Sequence, residues 1–72
     1  MKKLGKNYYT ALCRKYEAEM AEASANLETY FENTTGIGEH SDILPEFDKW
    51  VEQYTNAKDK LESLKELFTE KV

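Results

Sequence analysis

Apolar residues recur along this chain in two long stripes that a polar segment separates. The first stripe, with alternating steps of four and three, is Tyr9, Cys13, Tyr16, Met20, Ala23, Leu27 and Tyr30. The second is Ile43, Phe47, Trp50, Tyr54, Ala57, Leu61, Leu64 and Phe68. This spacing puts one apolar residue per turn on one face of an α-helix, whereas a strand would alternate every second residue. The pattern predicts two helices, over about residues 7–33 and 43–70, in a single domain of residues 1–72.

The segment between the stripes has the residues of a turn, predicted over 34–42. Gly36 can adopt the left-handed conformation that ends many helices, and Ser41 or Asp42 can cap the next one. Pro45 is tolerated in a first helical turn, where its missing N–H costs little. At the other end, Asn7 is a possible N-cap, and the residues before it are expected to fray.

The two stripes match when they are paired antiparallel. Met20 falls opposite Tyr54, and small residues face large ones, with Ala23 opposite Trp50 and Ala57 opposite Tyr16. This alternation of sizes fills a core without voids or strain. The predicted fold class is therefore all-α, an antiparallel two-helix hairpin with the shallow crossing angle of a coiled coil.

Charge is unevenly distributed along the chain. Residues 1–16 carry five cations and no acid, whereas residues 17–46 carry eight acids and no Lys or Arg. A hairpin would thus be acidic at its turn and basic at its open end, which affects association and solubility. One cysteine excludes an internal disulfide, and neither a membrane-length apolar run nor a signal peptide is recognisable. We therefore expect a cytoplasmic protein without a membrane interaction.

Several apolar residues fall outside the stripes, namely Tyr8, Leu12, Phe31, Leu44, Val51 and Leu67. A two-helix hairpin buries only its seam, the surface along which the two apolar stripes meet. These side chains are therefore expected in water unless a partner covers them. The economical solution is a homodimer in which two hairpins form a four-helix bundle, with these six residues at the interface. A monomer and a complex with a different protein are the alternatives.

Candidate catalytic chemistry is sparse. His40 is the single histidine, and the single cysteine, Cys13, lies at a seam position typical of a small buried hydrophobe. A metal at Glu39, His40, Asp42 and Glu46 is conceivable, but a lone histidine among surface acids is most often solvated. Two helices also offer little concavity for a small molecule. We expect no enzyme activity, no catalytic residue, no metal and no cofactor.

Two further binding modes remain as alternatives. The many aromatic residues could form a contact face for a partner or for nucleobases, although ordinary aromatic packing explains them as well. The basic open end could bind nucleic acid, but interspersed acids and a pI near 4.9 make that unlikely.

The central half of the chain, from Tyr30 to Leu64, carries a resemblance. It rests on the run TGIGEHSD at residues 35–42 and on DKLESL at residues 59–64. These runs resemble small proteins of tailed bacteriophages, in particular of marine and cyanobacterial phages. The resemblance implies a phage or environmental origin, with the cytoplasm of the host cell as the location if the protein is phage-encoded, but no established activity and no functional residue.

These observations together predict a non-enzymatic interaction protein that self-associates, a phage-type accessory protein that binds a host or phage protein. The acidic turn is a candidate partner site, through Gly36, Gly38, Glu39, His40 and Asp42. The alternative is a structural or assembly subunit of a larger, virion-related complex.

Overall fold

Two long helices make up the described part of the protein. The computed structural model describes residues 2–33 and 43–68. Helix α1 is Lys3–Glu32, of 30 residues, and helix α2 is Ile43–Phe68, of 26 residues; these ranges contain no strand. The helices pack against each other along their length as a hairpin that extends 54 Å, which confirms the all-α helical-hairpin prediction. The predicted turn over residues 34–42 and the predicted end of the second helix near residue 70 lie outside the described residues.

The start of α1 corrects the prediction. Residues 3–6 are helical, the amide of Lys6 donates to the carbonyl of Lys2 at 2.9 Å, and Asn7 lies inside the helix, so it is not the N-cap. The expectation that this stretch frays overestimated the cost of Gly5 in a helix. Gly5 is half-buried and lines the same cleft as Phe68.

The end of α1 agrees with the prediction. Asn33 follows the helix as its C-cap, and its backbone amide donates to the carbonyls of Thr29 and Tyr30 at 3.2 and 3.3 Å. Its side-chain amide donates to the carbonyl of Thr29 at 2.8 Å. These bonds satisfy carbonyl groups that the last turn of a helix leaves without an intrahelical partner.

The charges of α1 oppose its own helix dipole. The first turn contains Lys3 and Lys6 and no acidic residue. The last turn contains Glu32 and no basic residue. A charge of the wrong sign in a terminal turn costs about 0.3–1 kcal/mol at low ionic strength. Helix α2 has the favourable order, with Glu46 in its first turn and Lys65 in its last. The charge order of α1 is therefore not explained by the stability of that helix.

The core between the helices consists of small residues. Cys13, Ala23 and Ala57 are buried, and no large side chain of residues 2–33 and 43–68 is fully buried. The remaining seam residues are half-buried, apart from Tyr54 and Phe68, which are 36% exposed. A hairpin shields its seam from one side only, so such a short chain has a small core.

A hydrogen bond across the helices fixes the register at mid-length. The side-chain amide of Gln53 donates to the carbonyl of Glu19 at 3.0 Å and to Oε1 of Glu22 at 2.7 Å. Gln53 and Glu19 immediately precede Tyr54 and Met20, the residues that the sequence pattern pairs. The contact therefore lies where the predicted antiparallel register places it, although the apolar pattern by itself does not identify Gln53.

Replacing Gln53 tests this contact. We expect Gln53→Glu to lower the free energy of unfolding by about 2 kcal/mol, because the carboxylate cannot donate to the Glu19 carbonyl and repels the Glu22 carboxylate. The same amide-to-acid change at exposed Asn56, Asn56→Asp, is the control and is expected to stay within about 0.5 kcal/mol of the wild type. Urea unfolding followed by circular dichroism measures both; an equal loss in the two variants would contradict the assigned role of Gln53.

Candidate interaction surface

All six residues predicted to form an interface are exposed in the single chain. Their exposed fractions run from 37% for Leu12 and 48% for Val51 to between 62% and 71% for Phe31, Leu67, Tyr8 and Leu44. Large apolar side chains gathered in water on a small protein commonly mark a contact surface. The candidate partner site in the turn, Gly36, Gly38, Glu39, His40 and Asp42, lies outside the described residues.

The six residues form two separate patches rather than one continuous flank. Phe31, Leu44 and Val51 each directly follow a seam residue, at heptad position e, whereas Leu12 and Leu67 each directly precede one, at position g. Positions e and g lie on opposite sides of a seam, and in an antiparallel pair each flank collects the same position from both helices. The Gln53–Glu19 hydrogen bond joins two g positions and confirms this arrangement.

The first patch, called here the turn-side patch, consists of Phe31, Leu44, Pro45, Phe47 and Val51. The rings of Phe31 and Phe47 stack with centroids 4.8 Å apart and planes at 10°, and Tyr30 meets Phe47 edge-on at 5.5 Å. Leu44, Pro45, Phe47, Asp48 and Val51 line an open groove of about 750 Å³ beside this stack. The stacked rings contact each other across the two helices, so they form a pre-arranged apolar surface.

The second patch, the open-end patch, consists of Leu4, Tyr8, Leu12, Leu67 and Phe68. Leu4, Tyr8 and Leu12 follow each other at intervals of four residues on α1 and therefore form one row along the helix. A cleft of about 350 Å³ is lined by Gly5, Tyr8, Tyr9, Leu12, Leu64 and Phe68. Leu4, which is 68% exposed, is absent from the predicted interface because the predicted helix starts after this residue.

The two halves of the described hairpin carry opposite charge. Residues 17–32 and 43–56, on the turn side, contain eight carboxylates and one lysine. Residues 2–16 and 57–68, at the open end, contain eight cations and three carboxylates. The turn-side patch therefore lies in a negative electrostatic field and the open-end patch in a positive one. Such fields guide the orientation in which two surfaces meet.

The described residues include only part of the candidate chemistry. Residues 2–33 and 43–68 contain no group of three or more His, Cys, Asp or Glu side chains that could hold a metal ion. The proposed metal ligands Glu39, His40 and Asp42 lie outside them. Cys13 is a free cysteine and is buried, with 9% of its surface exposed. The described helices also include none that is long and apolar enough to cross a membrane.

No family model, no curated protein and no solved structure matches this chain. The resemblance of the central segment to phage proteins therefore stays a prediction. Its most specific run, at residues 35–42, lies outside the described residues.

Proposed function

We propose that this protein is a non-enzymatic protein–protein interaction module that associates with itself through its exposed apolar patches. The observation that carries the proposal is the imbalance between surface and core. Nine large apolar side chains of the described residues are exposed, while only three residues, all of them small, are buried. A chain of this size has a small core, so a partner that covers such patches stabilises its folded state.

Self-association is the simplest way to cover them. In its symmetric form, two hairpins align as a homodimer and their four helices make a bundle. Both patches contain stacked or clustered rings together with aliphatic side chains, the composition typical of the centre of a protein interface. The phage-type accessory role and the host cytoplasm belong to the same proposal, with a host or phage protein as the partner of the assembled module.

An assembly subunit is the second candidate function. It is favoured by the presence of two patches on opposite flanks, because a subunit of a larger structure must contact more than one neighbour. The two candidate functions share the same surface chemistry and differ in the number of copies that associate.

The mass in solution tests the proposal. We expect the light-scattering mass of the wild type to rise above the monomer value of 8.4 kDa with concentration. Leu12→Glu and Val51→Glu are expected to shift the mass toward the monomer, because each buries a charge at the contact. Ala11→Glu and Asn56→Glu add the same charge at exposed positions outside the patches and serve as controls. A wild type that stays monomeric at the highest concentration would refute self-association.

A further inference from the structure

We propose that the turn-side patch of one copy docks onto the open-end patch of a second copy, so that copies associate head to tail with a stagger. The inference rests on the proposed function and names its partner and its geometry. It differs from the symmetric four-helix bundle, in which the same surface of both copies would meet.

The positions of the patches favour this geometry. They lie on opposite flanks of the seam, and Leu12 and Phe31 are separated by roughly 28 Å along α1 at 1.5 Å per residue. A second copy that lay in register along one flank would meet one apolar patch and then polar residues. On the flank of the turn-side patch, these polar residues at position e are Ser24, Glu17 and Lys58. A second copy shifted by about half the length of the hairpin instead brings its open-end patch onto the turn-side patch of the first.

The charges around the patches are complementary. Glu28 lies one turn before Phe31, and Asp48 lies between Leu44 and Val51 on the same face of α2 and lines the groove. The open-end patch has cations beside it: Lys15 lies one turn after Leu12, and Lys60 lies two turns before Leu67. The staggered arrangement sets these acids against these cations, whereas pairing either patch with itself would oppose like charges.

The charge order of α1 supports the same arrangement independently. Lysines at its beginning and glutamates toward its end oppose the helix dipole, so this order makes the isolated helix less stable. In the staggered assembly, the acidic half of one α1 lies beside the basic half of the next. The charges of the neighbouring copy then stabilise the terminal charges of α1, which the dipole of the helix disfavours.

Such a contact does not close on itself. Two different patches meet, so each added copy leaves one free patch at each end of the assembly and further copies can join. Each patch consists of only five residues, which corresponds to a small interface and to dissociation constants in the micromolar range, on the order of 1–100 μM. The assembly is therefore expected to grow with concentration rather than stop at two copies.

A mixing experiment with two single-patch variants tests the inference. Leu44→Glu disables the turn-side patch and Leu12→Glu the open-end patch, and both positions are exposed, so the fold should persist. Each variant alone is expected to associate at least about tenfold more weakly than the wild type. The equimolar mixture retains one intact patch of each kind, so it is expected to form a dimer of twice 8.4 kDa and nothing larger.

Control variants and the remaining outcomes distinguish the staggered contact from other contacts between copies and from a monomer. Circular dichroism verifies that both variants keep the wild-type helix content, and Ala11→Glu and Asn56→Glu should assemble as the wild type does. If Leu12→Glu alone still dimerises, the turn-side patch pairs with itself and the inference is wrong. If the wild type associates but the mixture does not, each copy needs both of its own patches in one contact, which overturns the inference and leaves the proposed function standing. A wild type that remains monomeric overturns both.

Discussion

Replacing Ala23 with leucine is expected to lower the midpoint of thermal unfolding by about 5–20 °C. Ala23 is 0% exposed, and the antiparallel register places it opposite Trp50. A larger side chain at this close approach of the helices forces the neighbouring side chains out of their preferred rotamers, at a cost of about 1–3 kcal/mol. In a domain of this size, 1 kcal/mol corresponds to about 4–8 °C.

The same substitution two residues later is the matched control. Ala25 lies on the same helix but is exposed, so Ala25→Leu changes helix propensity and volume equally without entering the core. Its unfolding temperature is expected to stay within a few degrees of the wild type, about 3 °C at most. Equal shifts for Ala23→Leu and Ala25→Leu, measured by circular dichroism, would contradict the placement of Ala23 between the helices.

Shortening Trp50 to alanine is expected to remove most of the stability of the hairpin, about 3–5 kcal/mol. Trp50 is the largest side chain of the seam, it is half-buried, and the Lys49 Nζ lies 4.8 Å from the centre of its ring. Its Nε1 atom is buried without a hydrogen-bond partner among the residues that the structure describes. A buried donor of this kind costs free energy, so the ring, and not its N–H group, is the stabilising part.

Trp50→Phe separates the two contributions. The phenylalanine keeps an aromatic ring in the seam and removes the unpaired donor, so we expect its free energy of unfolding to lie within about 1 kcal/mol of the wild type. Urea denaturation monitored at 222 nm compares the wild type with both variants. A loss for Trp50→Phe as large as that for Trp50→Ala would show that the indole N–H contributes to stability after all.

The staggered assembly suggests why such a small core suffices. The hairpin alone buries three small residues, and its larger seam residues remain partly in water. Because a partner that binds the folded chain stabilises it by mass action, unfolding of the wild type should occur at higher temperature as the protein concentration rises. The isolated chain and the assembled chain are thus expected to differ in stability although they share one fold.

The heptad spacing was sufficient to predict both helices, their antiparallel pairing and the buried alanines. Ala23 and Ala57 are fully or almost fully buried, and the predicted pairing of Met20 with Tyr54 is flanked by the Gln53–Glu19 hydrogen bond. Heptad spacing predicts these features because a residue every three or four positions must lie on one helix face. The start of α1 escaped the prediction: helix propensity counts Gly5 as a breaker, but Gly5 lies inside the helix and lines a cleft together with Phe68.

The sequence by itself determined the fold class, the seam and which apolar residues lie outside it, because these depend only on the period of the α-helix. Only the tertiary structure decided how those outlying residues group. Phe31 joins Leu44 and Val51 through its stack on Phe47, whereas Leu12 and Tyr8 line one cleft with Phe68 at the other end. Residues far apart in the chain become neighbours only when two helices pack in one register, and that register turns six scattered positions into two surfaces with opposite charge around them.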